Sequence, residues 1–170
     1  MERISDKDLK VIQKQLGREI NNVIAVCKYC SYGFPVVILS YPIRNGTPFP
    51  TIHYLTCPHL VKEVSRLEEK GYISKFEIKI KEDSEFSRAY ENAHFSVIQK
   101  RLNLLMEEDK KWAKHLESVG TGGIKDFKNV KCLHLHLADY LAGIENPIGK
   151  EVYDLIEKKE CDTGGCGGEV

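Results

Sequence analysis

The chain has 170 residues, 42% of them hydrophobic, with Lys+Arg and Asp+Glu equal at 25 each, which suits one domain with a sizeable core. A net charge of +0 supplies no positive field to gather phosphate backbones, so no nucleic acid is expected as partner. Met1 to Lys14 is charged where a signal peptide would be apolar, and no later apolar run approaches membrane-spanning length; no membrane insertion and a cytoplasmic location are the expectations.

Ser5, followed by Asp6 and Asp8, can cap a first helix on which Leu9, Ile12 and Leu16 share a face before Gly17 ends it. Asn22 to Cys27 and Phe34 to Tyr41 are rich in Val and Ile and predict a hairpin, its tip carrying the pair Cys27 and Cys30. Pro42, Asn45-Gly46 and Pro48-Phe49-Pro50 then break regular structure in a stiff loop, and Thr51 to Thr56 forms a further short strand. Pro58 opens a helix through Leu60, Val64 and Leu67 to Gly71, with Thr56 or Cys57 at its entrance.

Tyr72 to Lys81 sets Ile73, Phe76, Ile78 and Ile80 among lysines, which predicts a half-buried strand closing the sheet. Ser84 to Leu116 is patterned as one long helix or two, with the charge-rich stretch Glu107 to Lys114 facing solvent. Beyond Gly120, Gly122 and Gly123, the residues Leu133, Leu137, Leu141 and Ile144 mark an apolar helix that ends before Asn146-Pro147, and a last helix lies near Lys150 to Lys158. The sum is an α+β fold, a small mainly antiparallel sheet with several packed helices including a long central helix or helix pair. One domain over residues 1–159 is followed by a flexible Cys/Gly-rich tail over 160–170.

The chemistry-bearing residues are thiols. Cys27-Lys28-Tyr29-Cys30, Thr56-Cys57-Pro58 and Lys131-Cys132-Leu133-His134 each sit beside turn or helix-start residues, a distribution that points to one assembled metal site, with a reactive thiol second. In a reducing compartment, metal or thiol chemistry accounts for six cysteines better than disulfides do. No Walker-type, GxGxxG or GxSxG sequence is present.

Several unusual words occur in one order: Gln15-Leu16-Gly17-Arg18, Cys30-Ser31-Tyr32-Gly33-Phe34-Pro35, Gly46-Thr47-Pro48-Phe49-Pro50-Thr51, Leu55-Thr56-Cys57-Pro58, Lys131-Cys132-Leu133-His134 and Asn146-Pro147-Ile148-Gly149. Through them the chain resembles the DUF501 family from Asp6 to Gly149. The resemblance implies no reaction, but it singles out Cys30, Cys57, Cys132 and His134, which make a complete tetrahedral zinc set, with Cys27 as the competing ligand because Cys27 and Cys30 followed by Gly33 resemble a zinc-ribbon knuckle.

Successive helical residues turn by about 100°, so His134 and His136 cannot point the same way. Cys132, His136 and Asp139 share one helix face at i, i+4 and i+7, which permits a thiol, imidazole and carboxylate arrangement as the catalytic alternative. His53 and His59 flank Cys57 and are expected at the surface, with support of the cysteine site or substitution for a ligand as the alternative, and Arg18, Arg44 and Arg101 would bind an anion only if they converge. Four protein ligands give a closed site of structural or binding role, whereas three ligands with water allow metal-assisted hydrolysis. The remaining alternatives are cysteine-dependent catalysis and a metal-free interaction protein with buried cysteines. The Cys161 and Cys166 thiols offer metal recruitment or delivery, or disulfide exchange, as a role for the tail, with an inert tail as the alternative.

Overall fold

The computed structural model describes residues 4–167. Helix α1, Asp6–Leu16, begins where the Ser5 hydroxyl accepts the Asp8 amide at 3.1 Å and stops at Gly17, whose φ of 69° suits a glycine cap. Its Ile12 packs with Ile20 and Ile38. Strands β1, Val23–Tyr29, and β2, Pro35–Ser40, form an antiparallel hairpin; β2 is buried along its whole length because β1 and a third strand flank it.

Between them the Cys30 amide donates to the Phe34 carbonyl and the Gly33 amide to the Cys30 carbonyl, both at 2.9 Å, with Gly33 at a φ of 84° that favours glycine. The hairpin tip therefore carries Cys30 alone. Cys27 lies within β1, two residues before its end, because the pairing with β2 continues, through bulges, to Tyr29.

The stiff loop is itself a small hairpin: β3, Ile43–Arg44, pairs with β4, Thr47–Pro48, across Asn45 and Gly46, both at positive φ. Strand β5, His53–Leu55, then pairs antiparallel with β2 to complete a three-stranded sheet in the order β1-β2-β5. Helix α2, Pro58–Glu69, has Cys57 at its N-cap and proline in its first turn, and buries Leu60, Val64 and Leu67.

The expected strand over Tyr72 to Lys81 is corrected to a helix, α3, Tyr72–Glu82. Phe76 and Ile80 stand one helical turn apart and are buried, whereas Ile78 between them is 53% exposed, an arrangement a strand with one buried face would not give. Helix α4 follows from Ser84 to Leu104, capped by the Asp83 carboxylate on the amides of Glu85 and Phe86. The helical pattern does continue beyond it, as a 3-10 segment over Glu107–Trp112 and a short helix α5, Ala113–Leu116.

Helix α6, Leu133–Leu141, starts from Cys132, and α7, Pro147–Leu155, starts from Asn146, whose side-chain oxygen accepts the Gly149 amide at 3.0 Å. Helix α6 is the centre of the assembly, packed against α7, β5 and α2. Its Leu133, Leu137 and Ala138 join Val37, Val64, Ile80, Tyr90, Ile148 and Val152 in the main core. Among the described residues, no helix is long and apolar enough to cross a membrane.

Candidate functional site

The N-terminal end of α6 meets the C-terminal part of α2, and this crossing builds the tightest ligand group. Glu68, Cys132 and His134 offer a carboxylate oxygen, a sulfur and a ring nitrogen all within 4.8 Å of one another, and all three are half-buried. Their orientations are fixed by backbone. The Leu133 amide, a free donor of the first turn of α6, gives its hydrogen to Glu68 Oε2 at 2.9 Å. His134 Nε2 lies 3.1 Å from the Val61 carbonyl, which can only accept, so Nε2 carries the hydrogen. Its other ring nitrogen, Nδ1, faces Glu68 Oε1 at 3.5 Å. The contact closes either through a second ring proton, as a His134–Glu68 ion pair, or through a cation bound beside the Cys132 thiol.

The expected single set of Cys30, Cys57, Cys132 and His134 is not one group in the structure. Cys132 and His134 go with Glu68, whereas Cys30 and Cys57 line a different cleft together with the tail residues Cys161 and Cys166. The physical reason is that Cys30 sits in the turn of the hairpin and Cys57 at the start of α2, while Glu68, which joins Cys132, stands near the opposite end of that helix. All six cysteines are free thiols.

Cys27 joins neither group. Its side chain packs between two core clusters and lies near Lys100 and Asp139; burial pushes its thiol upward in pKa. Burial likewise raises Cys57 and Cys132, although amides of the helix each one starts point at both sulfurs and oppose that rise.

The Cys132, His136, Asp139 relay is also not assembled. His136 is fully buried, takes a hydrogen bond at Nδ1 from the Asn146 amide group at 3.0 Å, and has Nε2 3.3 Å from the Tyr90 hydroxyl. Tyr90 in turn donates to the Asn129 carbonyl at 2.7 Å. Burial holds His136 down at about 4, so the ring is neutral at physiological pH. As anticipated, His134 and His136 diverge.

Asp139 turns to β5 instead. Its Oδ1 accepts from His53 Nδ1 at 2.8 Å, and Lys100 Nζ reaches His53 Nε2 at 2.9 Å. The expectation of a surface position for His53 is thereby corrected: it is 1% exposed, because β5 is covered by α6. His59 is half-buried and contacts the Lys158 carbonyl at 2.6 Å. Nearby, the buried His94 takes the Thr121 amide on Nδ1 at 3.1 Å and is held at about 3 by burial and then by His136.

Arg101 is committed to the fold. It is 0% exposed and donates to the carbonyls of Pro50, Leu116, Val119 and Gly120, at 2.7 to 2.8 Å, which leaves it no free edge for an anion. Arg44 lies over the Phe49 ring.

Glu68 was not legible as a partner. It occurs in an ordinary charged run, Arg66-Leu67-Glu68-Glu69-Lys70, and only the crossing of α2 with α6 gives it a role.

These features define an α+β protein with two separate thiol-bearing places, Cys132 with His134 and Glu68 at the start of α6, and Cys30 and Cys57 in a cleft with Cys161 and Cys166. A family model described as "Protein of unknown function (DUF501)" matches residues 26–154, and the chain belongs to that family. The first of the words that suggested it, Gln15 to Arg18, and the cysteines Cys161 and Cys166 lie outside the matched residues. No curated protein and no solved structure matches the chain.

Proposed function

We propose that the chain is a metal-binding protein whose Glu68, Cys132 and His134 hold a zinc-like divalent cation. The observation that supports this is the approach of His134 Nδ1 to Glu68 Oε1 at 3.5 Å with the Nε2 hydrogen already given to the Val61 carbonyl. Sulfur, nitrogen and carboxylate oxygen are all zinc ligands, and the backbone contacts of His134 and Glu68 are of the kind that orients ligands in metal sites. Burial keeps the Cys132 thiol protonated; a bound cation would deprotonate it, and binding would release that proton.

Three protein ligands leave a coordination position for water or a bound molecule, so the role we assign is binding, with metal-assisted hydrolysis as the activity class compatible with it. Cysteine-dependent catalysis is the weaker reading, because a nucleophilic thiol needs a lowered pKa and burial acts on Cys132 in the other direction.

The test is elemental analysis of untagged, reduced protein purified without added metal, for the native chain and for Glu68→Gln, Cys132→Ser and His134→Gln. Each variant is expected to lose about one equivalent of metal per chain while remaining folded. Equal metal content in all four proteins, or an activity abolished by alkylation of Cys132 in metal-free protein, would reject the assignment.

A further inference from the structure

We propose a second and chemically different metal site, in which Cys30, Cys57, Cys161 and Cys166 close around one zinc-like ion and fasten the C-terminal segment to the domain. The four cysteines come from three places far apart in sequence, the hairpin tip, the N-cap of α2 and the segment after α7, and all line one cleft. The cleft volume is about 40 Å³, room for an ion or a few waters, and Cys57, Cys161 and Cys166 also line a more open adjoining cavity of about 310 Å³.

The segment that brings Cys161 and Cys166 is held by specific contacts. Glu160 receives both the backbone amide of Ser31, at 2.7 Å, and its hydroxyl, and the Tyr32 hydroxyl donates to the Cys161 carbonyl at 3.1 Å. These contacts are made by the turn that carries Cys30, so docking of the segment and delivery of its thiols are one event. Gly164 lies against the Tyr32 ring, and the 3-10 turn Gly165–Gly167 packs on α1.

A segment rich in glycine forfeits much backbone entropy on docking, and exposed polar contacts return little of it. Coordination by four thiolates supplies the missing stabilisation, since metal binding free energy becomes ordering free energy where the site does not exist in the free chain. The chemistry of the set is also uniform: sulfur alone selects a soft or borderline ion in a closed tetrahedral site. No three of the four sulfurs lie within 4.8 Å of one another in this structure; closing the site requires rotation of the Cys161 and Cys166 side chains, on a backbone that glycines leave free to adjust.

This site is independent of Glu68, Cys132 and His134, and the two are separable by experiment. The native chain and the Cys161→Ser/Cys166→Ser double variant, both reduced, are compared by metal content, by the thiolate-to-metal absorption of the cobalt-substituted protein, and by amide exchange of residues 156–166. The double variant leaves the core untouched and is expected to lose about one equivalent of metal and most of the charge-transfer band of a four-thiolate site. Exchange in the segment should then quicken at least tenfold, while the metal lost by His134→Gln is still present. Cys57→Ser should show the same losses. If the double variant matches the native chain in metal content and cobalt spectrum, or if all four thiols react with a thiol reagent equally fast before and after zinc addition, the second site is refuted whatever the outcome at Glu68.

Discussion

His53 and Asp139 form an ion-pair-capable contact of 2.8 Å in which the side chains are 0% and 2% exposed, with Lys100 completing the line on the other ring nitrogen. Breaking such a buried pair from one side leaves the remaining groups without their partner, which costs more than the pair itself is worth. Asp139→Ala should lose on the order of 3–5 kcal/mol of unfolding free energy in urea titrations. Asp139→Asn, which keeps an acceptor for His53 Nδ1, should lose clearly less. Equal losses would mean that packing, and not the polar contact, is what Asp139 provides.

The two buried imidazoles set an acid limit. His94 and His136 are held at about 3 and about 4 in the folded protein, against 6.5 for a free ring. Below pH 6.5 the unfolded chain therefore binds protons that the folded chain refuses, and stability rises with pH across that interval. It should be fully present above pH 6.5 and fall progressively as the pH drops toward 4. His94→Gln should flatten the slope in denaturation series run between these limits; an unchanged slope would exclude His94 as a source.

Gly149 sits in the first turn of α7 where an added Cβ would collide with the His136 carbonyl and with Tyr140. The α6 backbone cannot yield as a side chain tip could, so Gly149→Ala should force the two helices apart at a cost of about 3 kcal/mol. Asn146→Ala should remove the cap of α7 and the hydrogen bond to His136 together, costing about 2 kcal/mol or more. Thermal unfolding of both variants checks the ranking.

Zinc should act as a stabilising ligand. By mass action a cation that binds only the folded chain adds roughly 3–4 kcal/mol at a hundred to a thousand times its dissociation constant. The melting temperature of the native chain is expected to climb with added zinc, and the climb should be smaller in Cys132→Ser. A melting temperature indifferent to zinc, in protein first stripped with chelator, would contradict both metal assignments.

What could be read from the residues was what local chemistry decides. Ser5, Gly17 and Pro58 punctuate helices by capping and by φ preference, and each marks a boundary in the structure to within a residue or two, whereas Asn146-Pro147, read as the end of one helix, caps and starts the next, α7, three residues earlier than Lys150. The segment Tyr72 to Lys81 misled because Phe76, Ile78 and Ile80 satisfy a period of two while Ile73, Phe76 and Ile80 satisfy a helical one; only the exposure of Ile78 decides, and that is a tertiary fact. Cys132 and His134 were visible as a word, but Glu68 becomes their neighbour through packing alone, and Cys27 left its partner because β1 extended to Tyr29.

Arg101 joins three stretches of irregular backbone through a single guanidinium: the approach to β5 at Pro50, the end of α5 at Leu116, and the Val119-Gly120 turn. Those stretches consequently behave as one mechanical part. Lengthening any of them would pull carbonyls away from donors the other two still need, so insertions should be rejected there even though each stretch looks like a permissive connector. The Asn45-Gly46 turn, tied to no such hub and exposed, is where a tag, a label or a new chain terminus should be accepted.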